Sequence, residues 1–280
     1  MRHNASSVSF NTSESWVILS SIEQSIKRKI EAVGVPLKDW DIQINYGIKT
    51  GFNDAFIITT EKRDEILAAC VDEDERERTD ALIRPILRGR DIKRYGYDWA
   101  NLWLIATFPS RHYEIDLYPA VKEYLLSFGI ERLEQTGKEY IINGEKIKSR
   151  KKTNNKWFET QDSISYWDDF NKPKIVYPET TQGAYFAYDK DSIYIDKTCF
   201  MMMTDFPLYI QSTLSSKLFE FAYKRIFSSI ELGTSAYQYN KHALIKLPVI
   251  PTANDYMLSD INIYDLYGIS QTEIEFIESQ

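Results

Sequence analysis

The 280-residue chain, 43% apolar and 14% aromatic, can close one large core or two small ones. No stretch approaches the roughly 20 uninterrupted apolar residues of a membrane span, and the opening MRHNASSVSF has no apolar signal core, so no membrane and a cytoplasmic location are expected. The net charge of −7 is uneven: residues 252–280 contribute six acids and no base, residues 72–80 a net −4, and the remainder is +3, so overall acidity does not exclude a polyanionic partner.

In chain order, Leu19, Ile22, Ile26, Ile30 and Val33 recur at spacings of three and four, which predicts a helix over 13–33 with a Ser20/Glu23 capping box and Gly34 as its C-cap. After Val35-Pro36, alternation at Ile42, Ile44, Tyr46 and Ile48 predicts a strand. The stretch YGIKTGFNDAF (46–56) then supplies turn chemistry in Gly47, Gly51 and Asn53-Asp54, and 55–58 reads as a second strand paired with the first. Lys49-Thr50 beside glycine is not a P-loop, because the second glycine follows the lysine and the next residues look like a strand.

Short helices are expected at 62–71 and 79–88, the second shortened by Pro85, then a buried strand at 99–108 and a helix over 116–128 with Pro119 near its start. Asn143-Gly144 marks a hairpin turn. Three strands at 174–178, 183–188 and 192–196 are followed by CFMMM at 199–203 and by a long helix from Asp205-Phe206-Pro207 to about Ser229. A last helix begins at Ser270, with Glu273 in capping-box position. Strands and helices interleave irregularly, without repeat or Gly/Ser linker, which argues for an α+β fold with a mixed, mainly antiparallel sheet and packed helices.

Two stretches are basic: RPILRGRDIKR (84–94), with five bases and one acid, and KIKSRKKTNNK (146–156), with six bases and none. Both are candidate phosphate contacts or solvated surface loops. Asn and Gln pair best with adenine, so Asn53 and Gln182 are candidate base readers; a turn role for Asn53 stays open. Trp157, Trp167 and Tyr185 fit stacking on a ligand or simple core packing. His3, His112 and His242 are scattered, and Cys70 and Cys199 lack CxxC or histidine neighbours, so neither a metal site nor a disulfide framework is expected. Asp80 and Asp91-Ile92-Lys93 come nearest to a magnesium nuclease site, but no Pro-Asp precedes them.

Four pieces, GIKTGFNDAFII (47–58), IRPILRGRDIKRY (83–95), WFETQDSISYWDDFNKPKIVYPE (157–179), and YIQSTLSSKLFEFAYKRIFSS with YNKHALIKLPVIP (209–251), resemble in content and order a known family. It is the TaqI-like C-terminal specificity domain, the target recognition domain of adenine-N6 DNA methyltransferases and type IIG restriction-modification enzymes. The resemblance implies that residues 41–251 form a DNA-reading module that grips duplex DNA and positions an adenine for flipping. It implies DNA contacts from Lys49, Thr50 and Asn53 in the glycine loop and from Arg88, Arg90 and Arg94 in the RGRDIKRY turn. Lys148, Arg150, Lys151, Lys152, Lys156, Trp157 and Gln182 complete the DNA-binding candidates.

The chain lacks the Asn/Asp-Pro-Pro-Tyr/Phe motif and the glycine-rich turn that binds S-adenosylmethionine. No cofactor and no catalysis are therefore expected here; both belong to a methyltransferase catalytic domain of a longer parent protein, which methylates, with cleavage left open. Residues 1–40 are then a helical connector to that domain, and 252–280 an acidic tail with a short helix that caps the domain or limits nonspecific DNA binding. The alternative, drawn from 19 tyrosines among the aromatics, is a carbohydrate- or protein-binding module.

Overall fold

The first helix, α1 (Ser21–Val33), starts where its cap predicts: the Ser20 hydroxyl accepts from the Glu23 amide, and the Glu23 carboxylate accepts from the Ser20 N–H. Its apolar stripe enters the core through Ile26 and Ile30. The structure, a computed structural model, describes residues 19–227, 231–232 and 236–280. The expected helical residues 13–18 and 228–229, and most of the expected connector 1–40 up to residue 18, lie outside the described residues.

The strands that build the fold are β1 (Gln43–Tyr46), β2 (Ile57–Thr59), β3 (Ile83–Leu87), β4 (Leu102–Ile105), β5 (Glu139–Ile142), β6 (Glu145–Lys148), β7 (Lys174–Pro178), β8 (Ala187–Asp189), β9 (Tyr194–Ile195) and β10 (Cys199–Met203). A central antiparallel sheet runs in the order β8-β7-β10-β1, and a second in the order β9-β3-β4-β2, with only β9 parallel to its neighbour. The fold is α+β with mainly antiparallel pairing.

The central sheet lies between two apolar clusters. Val176, Ala187, Cys199 and Met201 face the first, and Ile44, Ile175, Tyr177, Phe200 and Met202 face the second. Burial on both faces explains why KIVYP reads as a continuous buried run rather than an alternation. The first cluster is covered by the second sheet with α2 (Thr60–Ala68), α3 (Glu73–Leu82) and α4 (Pro119–Leu126). The second is covered by α1, α5 (Pro207–Leu214), α6 (Lys217–Ala222), α7 (Asp260–Leu266) and α8 (Gln271–Glu278).

Several expectations change. The strands flanking the glycine loop do not pair: β1 joins β10, with Tyr46 opposite Phe200, and β2 joins β4, with Ile58 opposite Trp103. A helical turn, Asn53–Phe56, redirects the chain from one sheet to the other. The helix expected at 79–88 lies earlier, because the Asp72 side chain accepts from the Glu75 amide and acids fill its first turn; Ile83 to Leu87 is a strand. The long helix breaks after Leu214, where the Ser216 hydroxyl donates to the Thr213 carbonyl and accepts from the Phe219 amide, capping α6.

Residues 260–278 are built into the second cluster rather than hanging from it: Ile263, Tyr264, Tyr267, Ile269 and Ile277 are buried there. Glu273 caps α8 and accepts from Ser25 (2.8 Å) and from the Lys29 ammonium on α1. Burial acts to raise its carboxyl, yet Lys29 and the Ser270 and Ser25 donors outweigh burial and hold it at about 2.

Candidate nucleic-acid interface

Gly47 permits the contact on which the site depends. A Cβ there would lie 1.9 Å from the Asp196 carbonyl oxygen, so only glycine lets the end of β1 close on the turn after β9. The Gly47 amide donates to Cys199 (2.9 Å) and the Ile48 amide to Ile195 (2.8 Å). The same turn receives the RGRD turn from its other side, as the Gly89 amide donates to the Thr198 hydroxyl (2.8 Å) and the Asp196 amide to the Leu87 carbonyl (2.9 Å). Three segments distant in sequence thus meet at residues 196–198.

The RGRD turn is ordered by buried Asp91, whose carboxylate accepts from the Arg88 amide (2.9 Å), Nε (3.0 Å) and Nη2 (2.8 Å). That bond raises the pKa of the Arg88 guanidinium and points it in one direction. Arg90, two residues on, is exposed, and its guanidinium has no hydrogen-bond or ion-pair partner among the described residues. The Lys93 ammonium donates to the Arg90 carbonyl (2.9 Å).

A cleft of about 720 Å³ opens beside this turn. Arg88, Arg90 and Lys93 form its basic wall; Glu179, Thr180, Gln182 and Tyr185 face it, and Asn53 joins its lining. The Asn53 side-chain oxygen accepts from the Thr50 hydroxyl (2.6 Å), and its NH₂ group has no partner among the described residues. Gln182 is exposed, anchored through its backbone carbonyl by Lys224 (2.9 Å), with its side-chain amide unpartnered among the described residues. Four of the expected residues, Asn53, Arg88, Arg90 and Gln182, are brought together.

A second cleft of about 490 Å³ lies across the 196–198 turn, lined by Tyr46, Lys49, Asp162, Ser163, Tyr166 and Lys197. Lys49 is therefore next to the first cleft, not in it. Burial pushes the Tyr166 hydroxyl up to about 12 while it donates to the Tyr46 carbonyl (3.1 Å). Lys197 was not a sequence candidate: a single lysine in YIDKTCF carries no pattern, and only the turn places it here.

Other candidates are engaged elsewhere. Thr50 is fully buried and cannot offer its hydroxyl to a ligand; it holds Asn53 and accepts from the Phe52 amide. Arg150 is 2% exposed, and its guanidinium donates to the carbonyls of Leu133 (2.7 Å), Thr50 (2.9 Å), Glu159 (2.7 Å) and Trp157. Burial lowers its pKa to about 10. It ties four chain segments together and is no phosphate contact, a correction that follows from its having spent its donors on carbonyls.

Trp157 is half-buried, edge-on to Phe158 at 5.5 Å and packed on the first cluster, which favours the core reading. Arg94 bonds Asp260 of α7 (3.3 Å) and stacks over Tyr95, away from the cleft lining. Lys148, Lys151, Lys152 and Lys156 are exposed, but they belong to the segment of the β5–β6 hairpin and the loop after it, outside the cleft.

The sequence matches the TaqI-like C-terminal specificity domain over residues 84–249, more than half of the chain, and the chain belongs to that family. No curated protein matches. Among solved structures, the type IIG restriction endonuclease BpuSI has 13% sequence identity and a TM-score of 0.50, with 93% of this chain and 28% of that one covered; the likeness is one of fold. The type IIL restriction-modification enzyme MmeI, in a complex with DNA, has 14% identity and a TM-score of 0.45, covering 75% and 25%. The chain spans about a quarter of the length of the enzymes it matches.

Proposed function

We propose that this specificity domain recognises duplex DNA through the cleft beside the RGRD turn, as the sequence-reading part of a restriction-modification enzyme. It positions a target adenine for a methyltransferase catalytic domain that lies elsewhere in a longer protein. One observation carries the proposal: Arg90, Asn53 with its unpartnered NH₂ and the side-chain amide of Gln182 line one cleft with a basic wall. Arginine pairs with guanine, and asparagine or glutamine with adenine, through two hydrogen bonds at once. Lys93 and the exposed lysines outside the cleft supply phosphate contacts, which add affinity without sequence preference.

S-adenosylmethionine, the methyl donor of such an enzyme, does not fit here. The glycine loop at 47–51, the candidate cradle among the described residues, is already filled, Gly47 by the Asp196 backbone and Gly51 by the Arg150 and Gln161 side chains. No methyl-transfer step is assigned to this chain.

The test is fluorescence anisotropy of the 280-residue chain with a random duplex pool across salt concentrations, followed by sequencing of the retained DNA. Salt-sensitive binding with an enriched motif is expected. Binding without a motif would limit the module to gripping phosphates until its catalytic partner is present. Absence of binding at low salt would sink the proposal and leave the carbohydrate- or protein-binding alternative.

A further inference from the structure

The hairpin formed by β5 and β6 has a face that the cleft does not use. Asn143-Gly144 turns it with φ of 52° and 82°, the left-handed pair that a two-residue hairpin turn requires. Glu139 pairs with Lys148, Tyr140 with Ile147, Ile141 with Lys146 and Ile142 with Glu145. Side chains alternate, so Tyr140, Ile142 and Ile147, all half-buried, share the inner face. Glu139, Ile141, Lys146 and Lys148 share the outer one. Ile141 is 82% exposed, the most exposed of the large apolar residues described, and sits directly across from Lys146.

The surroundings select a partner. Residues 138–152 contain six bases and two acids. Glu139, the acid on the outer face, is paired with Lys146 (2.8 Å), while Lys138, Lys148, Lys151 and Lys152 have no ion pair among the described residues. An apolar contact ringed by unpaired ammonium groups matches a polyanion that also presents apolar groups. The hairpin is also joined to the cleft: Arg150, two residues past its end, binds the Thr50 carbonyl, and the Thr50 hydroxyl holds Asn53.

We propose that the outer face of the hairpin is a second base-reading surface, resting on the DNA-recognition reading above, in which the two-stranded ribbon lies in the major groove with Ile141 against a thymine methyl group. Lys146 and Lys148 flank that contact and meet phosphates. The major groove, about 12 Å wide, admits a two-stranded ribbon, whereas the minor groove, about 6 Å wide, does not. Ile141 lies in the middle of the face, two residues before the turn, so it presses on base edges rather than wedging between stacked bases as a residue at the tip would.

The full chain and three variants, Ile141→Ser, Lys148→Gln and Arg90→Ala, are taken through selection from the random duplex pool. Ile141→Ser is expected to lose roughly tenfold discrimination at a thymine position while the other positions of the motif persist. Deoxyuridine at that position reproduces the loss in the parent chain and adds nothing in the variant. Lys148→Gln weakens binding to all sequences and lowers the salt slope by about one. A motif unchanged by Ile141→Ser but altered by Arg90→Ala overturns the hairpin reading and leaves the cleft reading standing. A concentration-dependent dimer abolished by Ile141→Ser, with its DNA preference intact, overturns it in favour of a second copy of this chain. No parent-chain binding at low salt removes both readings.

Discussion

The two basic stretches look alike as text and behave as opposites in space. Within 84–94, three of the five bases are fixed: Arg84 lies over the Tyr194 ring at 5.4 Å, Arg88 is locked to Asp91 and Arg94 to Asp260. Arg90 and Lys93 remain at the cleft. Within 146–156 Arg150 is the only buried base, and apart from Lys146 the lysines have no ion pair among the described residues. The difference follows from chemistry: a planar guanidinium bonds several fixed acceptors at once, whereas an ammonium on a flexible stem stays hydrated. An arginine-rich turn on a buried carboxylate is preorganised for geometry, and a lysine-rich hairpin for electrostatic grip.

Arg150→Ala breaks that comparison with the largest effect. It leaves up to four carbonyls without this partner and is expected to cost about 3 to 5 kcal/mol of stability, with Arg150→Lys unable to restore it, since one ammonium cannot span the same acceptors. Thermal unfolding measures it, and an unchanged midpoint would return Arg150 to the list of surface bases. Asp91→Ala comes next, at about 1 to 3 kcal/mol, because it frees Arg88 and unties the RGRD turn.

Arg90→Ala leaves the unfolding midpoint in place and costs about 1 to 3 kcal/mol of binding to the selected sequence, relaxing preference at one position. Loss that is equal for all sequences would make Arg90 a phosphate contact like the lysines. The double variant Lys151→Gln with Lys152→Gln weakens binding uniformly and lowers the salt slope by roughly two, without altering the motif.

The smallest effect is a pH dependence at the α1–α8 contact, in the cluster that also carries α7 and its Arg94 partner Asp260. The Glu273 carboxyl is held below its unfolded value, so its contribution to stability is full above the ordinary carboxylate range and is lost as pH falls from about 4.5 to about 2. The unfolding midpoint is expected to fall across that window in the parent chain, and Glu273→Gln to flatten that part of the curve. Identical curves would remove the Lys29–Glu273 pair from the account.

What the sequence determined by itself is local. The Ser20/Glu23 and Ser270/Glu273 boxes, the Asn143-Gly144 turn and the Pro207 helix start all appear where expected, because each depends on bonds or dihedral preferences within a few residues. The α+β class and the family were also legible, the first from irregular interleaving and the second from four ordered stretches. Strand partners were not: alternation marks a buried face without naming the strand beside it, and β1 finds β10 about 150 residues away. Nor was the fate of each charge. Arg90 and Arg150 are both arginines in basic runs, and only the tertiary structure, which surrounds one with carbonyls and leaves the other at an open cleft, decided which holds the fold and which can meet a ligand.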